Sequence, residues 1–338
     1  MKVLIIGGTG LLGSAAAEEL ISKGHQVVSV SLPPLPAGAV FPRGMEICFG
    51  NYLNMPEAEL RECFSGCEGF VFAAGVDERV EVSAPVYEFY ETYNIRPLER
   101  LLRIAKECGV KHVAICGSYF SWFAKTRTEL KLEKYHPYIR SRREQEELAL
   151  SFAGPGFDVA ILELPYIFGV QPGRKPVWVF LVEMLRKMKG VTFWPKGGTA
   201  MVTVKQAGQA IAGALERNCG GNCYPIGYFN MTWRQMLSLF HAAMGCPRRK
   251  IVTVPDWMFA VPAKRIETKR RKRGVEGGLF LPEFVKMQCS EQFIDRSLRW
   301  DALGVQSDDI ERAIGESVRL SLEVLNGEAG EVLSMPEK

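Results

Sequence analysis

Histidine is scarce in this sequence, with four among 338 residues, and none of the nine cysteines stands in a Cys-x-x-Cys pair. Zinc sites usually set such ligands at short fixed spacings, so no metal site is expected. The cysteine count is odd and several lie in apolar runs such as Val113-Ala114-Ile115-Cys116. They read as buried reduced thiols rather than as a disulfide framework. Long hydrophobic runs are also missing. No stretch approaches the roughly 18 apolar residues of a membrane span. The opening apolar run stops at Gly7-Gly8, short of the ~7 to 15 residues of a signal-peptide core, which makes a cytoplasmic location the expectation. An excess of one charge is absent too: 42 basic residues against 38 acidic ones leave +4, too little to imply a polyanionic partner by itself. No internal repeat is visible.

What remains is a globular composition, 47% hydrophobic and 24% charged. Short Val- and Ile-rich runs recur at 2 to 6, 26 to 31, 45 to 49, 69 to 73, 111 to 116 and 158 to 163. Such runs predict parallel strands buried on both faces. Helical patterns lie between them at 14 to 23, 56 to 64, 86 to 108 and 138 to 152, with Gly24, Gly66, Gly109 and Gly154 just past their ends as expected C-terminal caps. The alternation predicts an α/β fold with a Rossmann-type doubly wound parallel sheet and a smaller C-terminal substrate lobe. Residues 1–170, with a returning segment at about 200–226, make the expected dinucleotide-binding domain. Residues 171–199 and 227–325 make the lobe, and 326–338 read as a disordered tail.

The strongest local signal is Gly7-Gly8-Thr9-Gly10-Leu11-Leu12-Gly13, directly after the first strand and opening the first helix. In that place one glycine permits the tight turn, another lets backbone approach a pyrophosphate, and a third lets helix pack on strand. The helix N-terminus adds N–H groups and a positive dipole end. An Asp or Glu about 20 residues onward would favour NAD and an Arg NADP. The second strand ends instead Ser29-Val30-Ser31-Leu32, so both NAD and NADP remain expected cofactors, with Ser31 at the ribose position.

These residues, in this order, resemble the extended short-chain dehydrogenase/reductases of the NAD-dependent epimerase/dehydratase group. The resemblance covers about residues 1 to 325. Asn51 and Tyr52 fall in the segment that follows the third strand in that family, and Ala73-Ala74-Gly75 in the one after the fourth. Asn94 resembles the family's structural asparagine, and Pro165 lies in its Arg-Pro-x-x-Tyr-Gly turn, here Glu163-Leu164-Pro165-Tyr166-Ile167-Phe168-Gly169. The resemblance implies cofactor contacts from all of these and from Tyr138 and Arg142. It also implies a homodimer packed through the helices near 86 to 108 and 138 to 152.

The catalytic triad carries over with one change. Ser118 falls on the family's catalytic Ser/Thr, and Tyr138 opens a Tyr-x-x-x-Lys pattern in which Arg142 replaces lysine. Residues four apart share a helix face, so Tyr138 and Arg142 can address one ribose and one substrate oxygen. A phenol of pKa near 10 needs a neighbouring positive charge to act as a base at neutral pH. Arginine supplies charge, but as a wide planar fork. The implied activity is NAD(P)-dependent oxidoreduction, epimerisation or dehydration at a hydroxyl or carbonyl of a small, possibly nucleotide-linked substrate. The alternative is a dinucleotide-binding, regulatory or RNA-binding member that lost the lysine.

Aromatics in the lobe (Trp178, Phe180, Trp194, Tyr228, Trp233, Trp257) can line a pocket, though packing is their commoner use. Arg174 and Lys175 can meet a nucleotide-sugar diphosphate, though loop cations are more often simply solvated. The run Lys264 to Arg273, seven basic residues in ten, can hold phosphates of nucleic acid or anionic lipid, and reads otherwise as a solvated loop.

Overall fold

Parallel strands joined by helices build the first half of the chain in the computed structural model, which describes residues 1–35, 38–295 and 297–329. In chain order these are β1 (Lys2–Ile6), α1 (Leu11–Ser22), β2 (Gln26–Ser31), β3 (Met45–Phe49), α2 (Glu57–Phe64), β4 (Gly69–Phe72), β5 (Glu81–Ser83), α3 (Val86–Tyr90), α4 (Arg96–Glu107) and β6 (His112–Cys116). There follow α5 (Tyr119–Thr126), α6 (Leu132–Tyr135), α7 (Pro137–Ser151), β7 (Asp158–Glu163), β8 (Tyr166–Phe168), α8 (Val179–Lys187), β9 (Val191–Pro195), β10 (Gly198–Thr203), α9 (Val204–Arg217) and β11 (Gly221–Pro225). The remainder is β12 (Phe229–Thr232), α10 (Trp233–Ala243), β13 (Lys250–Val254), α11 (Asp256–Lys272), β14 (Val275–Gly277), α12 (Leu281–Gln288), β15 (Glu291–Gln292) and α13 (Ile310–Asn326).

The main sheet runs β11-β7-β6-β4-β1-β2-β3, with every neighbouring pair parallel. Both faces are covered, which is why the strands read as unbroken apolar runs. Val3, Ile5 and Val71 pack with Ala16, Ala17 and Leu20 of α1 and Ala210 and Ile211 of α9. Leu4, Ile6 and Phe72 face Leu60 of α2 and Leu98 and Leu102 of α4. Strand order reverses between β1 and β4, and ligands in such sheets bind at the carboxyl ends beside that switch point.

In the lobe, β10 pairs parallel with β8 and β15 and antiparallel with β12. Around it Phe168, Trp178, Trp233 and Phe240 pack against Ile314 and Val318 of α13. Phe168 and Trp178 stack at 4.4 Å.

Three local expectations need correction. The helix expected over 86 to 108 is interrupted by a π-helical turn at Glu91–Ile95. Gly154 does not supply a left-handed cap; the positive φ falls at Gly156, and Gly154 pairs with Phe157 in an isolated bridge. The basic run is not a loop, because its residues through Lys272 continue α11. Most of the expected tail, residues 330 to 338, lies outside the described residues.

Helix α9 lies very close to its neighbours. A Cβ on Gly208 would stand 2.5 Å from the Ala15 carbonyl oxygen of α1, and one on Gly213 would stand 1.8 Å from that of Leu303. Gly-to-Ala in a helix interior normally stabilises by about 1 kcal/mol. Overpacking at this approach costs about 1–3 kcal/mol, so Gly213→Ala is expected to lower stability despite its better propensity. Denaturant unfolding at unchanged m-value checks this.

Candidate active site

The glycine turn between β1 and α1 sits at the switch point. Gly7 has φ of 88°, and its carbonyl accepts the Gly10 N–H at 2.9 Å. A Cβ on Gly13 would lie 2.2 Å from the Gly7 oxygen, so only glycine lets the helix start this close to the turn. No side chain caps the N-terminus of α1 and no acid stands in its first turn, leaving the Leu11, Leu12 and Gly13 end electropositive. Thr9 is buried. Its carbonyl accepts from Gln171 at 3.1 Å and from Arg174 Nε at 2.7 Å. Arg174 thus lies against this turn, where burial pulls its pKa down.

The other residues assigned to the cofactor surround the same strand ends. Ser31 is buried and its Oγ lies 2.7 Å from that of Ser29. Asn51 accepts the Leu53 N–H at 3.1 Å. The Tyr52 ring meets Phe72 edge-on, and burial pushes its phenol up to about 12. Ala73 donates to the Ile6 carbonyl, and a Cβ on Gly7 would touch the Ala73 oxygen at 3.0 Å. Gly75 has φ of 125°, and a Cβ there would stand 2.6 Å from Asn94 Oδ1. Ala74 lies between Ala73 and Gly75, and Pro165 is buried between β7 and β8.

Ser118, Tyr138 and Arg142 come together at the end of β6. Ser118 is the N-cap of α5, its Oγ accepting the Phe120 N–H at 3.4 Å. Tyr138, in the first turn of α7, is only 4% exposed. Its N–H donates to the Gly278 carbonyl at 3.0 Å, and its ring packs edge-on against Tyr90 at 5.5 Å. Burial raises the Tyr138 pKa, while Arg142 and a hydrogen bond with Ser118 pull it down. The Arg142 guanidinium carbon is 5.6 Å from the Tyr138 ring centre.

Arg142 is largely committed to the protein itself. Nη1 donates to Gln145 Oε1 at 2.8 Å and Nη2 to the Cys116 carbonyl at 3.1 Å, while Nε is buried without a partner. Gln145 in turn donates to the Asn94 carbonyl. The Asn94 side chain, held in the π turn, accepts from Val76 N–H at 2.8 Å and donates to its carbonyl at 3.1 Å. A π turn inside a helix often marks a functional site, and here it aims an amide at the loop after β4.

A family model for the NAD dependent epimerase/dehydratase family matches residues 3–217. The chain belongs to that family. Solved structures similar to this epimerase/dehydratase chain include that of gox2253, at 18% identity and TM-score 0.70, covering 96% of this chain and 98% of that one. MoeE5 in complex with UDP-glucuronic acid and NAD is 17% identical, with TM-score 0.65 and coverage of 96% and 100%. UDP-N-acetylglucosamine 4-epimerase from Bacillus cereus is 13% identical, with TM-score 0.64 and coverage of 95% and 98%. These likenesses show the fold. No curated protein matches the sequence.

NAD(H) is the cofactor of the epimerase/dehydratase family, and the residues present fit it. An uncapped helix end without acids, brought against the strand ends by the Gly7–Gly13 approach, is a feature a bound diphosphate would complete. Among the described residues no cluster of three or more metal-ligating side chains occurs, and no helix is long and apolar enough to cross a membrane.

Sequence reasoning missed two acidic groups. Glu78 is half-buried on the loop after β4, and its charge raises the pKa of Tyr138 and Tyr166. Its own pKa is raised by burial and then by Asp77. The only sequence signal was an Asp-Glu-Arg triple shortly after Gly75, in which Arg79 pairs with Asp77. The second group is Glu163, which the sequence showed only as the first residue of the turn that holds Pro165. It is fully buried 2.6 Å from Lys125, which also reaches Glu146 at 3.2 Å, and Glu146 takes Arg143 at 2.7 Å. Burial and then the neighbouring Glu146 push Glu163 up to about 8.

A carboxyl whose folded pKa exceeds its unfolded value, near 4.3, binds a proton in the folded state that the unfolded chain has lost. Its stabilising contribution is present at low pH and disappears as pH rises through about 8. Thermal unfolding of the wild type is therefore expected to lose stability from pH 5 to pH 8 relative to Glu163→Gln, whose curve is flatter. Parallel curves would refute the buried-proton assignment.

Proposed function

We propose that this chain interconverts a hydroxyl and a carbonyl on a nucleotide-linked sugar through a nicotinamide dinucleotide. The observation that carries the reading is the convergence of Ser118, Tyr138 and Arg142 beside the glycine turn, at the carboxyl ends of the strands. The sugar-nucleotide class is supported by similar structures containing UDP-glucose and UDP-glucuronic acid. Bound NAD supplies the ring that accepts or returns hydride.

The protein's part is proton movement and positioning. Tyr138 takes the proton from the substrate hydroxyl, or returns it, through its phenol oxygen. Ser118 donates a hydrogen bond to the same oxygen as charge develops there. Arg142 and Ser118 pull the Tyr138 pKa down against burial, although burial prevails and holds it above the ordinary tyrosine value. Gln145 and Asn94 hold the guanidinium in place. Glu78 offers a second proton-holding group on the opposite loop, which suits elimination beside the new carbonyl as well as simple oxidation. Gly10, Leu11, Leu12 and Gly13 take the diphosphate, and Ser31, Asn51 and Tyr52 the adenosine side.

General acid–base groups contribute typically ~10²–10⁴-fold. Tyr138→Phe is therefore expected to lower kcat by that range on a panel of UDP-sugars while calorimetric NAD(H) binding persists. A wild type that binds NAD(H) but turns over nothing, with activity created by Arg142→Lys, would instead make this chain a dinucleotide-binding member disarmed by its arginine. The same reading pairs two copies through α4 and α7. Light scattering at micromolar concentration should then give twice 37.8 kDa, and a monomer mass would refute the pairing.

A further inference from the structure

Helix α11 is fastened to the fold along one side only. Ala263 and Arg270 are its buried residues. Arg270 ion-pairs with Glu81 of β5 at 2.8 Å and with Glu267 at 3.3 Å, and donates to the Leu279 carbonyl at 3.2 Å. The opposite side is open. Trp257 is 68% exposed, and Met258 and Val261 are each 43% exposed, within its first turns. Lys264, Arg265, Lys269, Arg271 and Lys272 follow, all exposed, and Arg273 just beyond is exposed too.

With 3.6 residues per turn, Trp257, Val261, Arg265, Thr268 and Lys272 fall along one outward stripe, with Met258 and Lys269 beside it. The helix thus presents an apolar head and a cationic end on the same face. Cations near a helix C-terminus favour the dipole, which explains part of the basic run. It does not explain a tryptophan left in water. The carboxylates nearest these cations are already engaged: Asp256 stands 4.0 Å from Lys196, Glu81 and Glu267 pair with Arg270, and Glu276 accepts the Val86 N–H.

We propose that this face docks the protein on an anionic lipid surface. Trp257, Met258 and Val261 enter the boundary between headgroups and acyl chains, and the cations meet lipid phosphates, as interfacial helices do. Charge complementarity selects the occupant. Single-stranded nucleic acid would call for aromatic rings interleaved with the cations for base stacking, whereas here the exposed ring and the cations occupy different halves of the helix. On its fastened side, α11 leads through β14 to Gly278, whose carbonyl accepts the Tyr138 N–H at 3.0 Å.

The test is co-sedimentation of the full chain with phosphatidylcholine vesicles, with and without phosphatidylglycerol, at low and high salt. Binding to the anionic vesicles alone, released by salt, is expected. One basic residue near such a surface is worth about 1 kcal/mol, or ~5-fold. Combined Lys269→Glu, Arg271→Glu and Lys272→Glu changes should therefore weaken partitioning on the order of 100-fold or more. Trp257→Ser should weaken it as well, with a loss of the blue-shifted emission that vesicles induce in the wild type. Unchanged circular dichroism and NAD(H) binding in both variants would exclude misfolding. Absence of sedimentation with anionic vesicles, or sedimentation indifferent to both variants, overturns the proposal. So does salt-dependent retention of single-stranded RNA without vesicle binding, which would move the face to nucleic acid.

Discussion

Two hydrogen bonds from one guanidinium govern the geometry of the cleft. Arg142 reaches from α7 to the Cys116 carbonyl at the end of β6 and to Gln145 one turn along its own helix. The helix that carries Tyr138 is thereby tied to the strand whose next residues are Gly117 and Ser118. The tie extends through Gln145 to the Asn94 carbonyl and, through the Asn94 side chain, to Val76. A charge buried in this way is costly unless its donors are paired, and the unpartnered Nε is the one place where this network stops short.

A lysine at this position would behave otherwise. Its ammonium is a compact, strongly hydrated point charge on a flexible stem, whereas arginine spreads its charge over a rigid fork with five donors. Here the fork bridges strand and helix, so structural and electrostatic duties fall on one group. Tyr138 feels that charge, yet burial and the Glu78 carboxylate act against it. The acidity of the phenol is therefore set by opposing neighbours within a dry pocket.

Much of this architecture could be read from the chain because its signals were local. Strands covered on both faces are contiguous apolar runs, and the seven-residue glycine turn announces itself by spacing and by position after β1. The π turn at Glu91–Ile95 could not be read, since one extra residue in a helix leaves the apolar periodicity almost intact; only Asn94, through the family resemblance, pointed to the place. Glu78 was hidden inside a charged triple that looked solvent-facing, because the tyrosines whose pKa it raises, Tyr90, Tyr138 and Tyr166, come from distant elements. Arg174 read from the sequence either as a cation for a substrate diphosphate or as a solvated loop residue, and its contact with Thr9 depends on a chain return of more than 160 residues. In α11, Pro262 and dense positive charge obscured a helix that is pinned by the long-range Arg270–Glu81 pair.

The contact between Tyr138 N–H and the Gly278 carbonyl joins the first turn of α7 to the segment between β14 and α12 by backbone alone. A Cβ on Gly278 would stand 2.1 Å from the Tyr90 hydroxyl and 2.8 Å from the Glu78 carbonyl oxygen, leaving no space for a side chain there. Any movement of that segment away from α7 is therefore felt directly at the backbone of Tyr138.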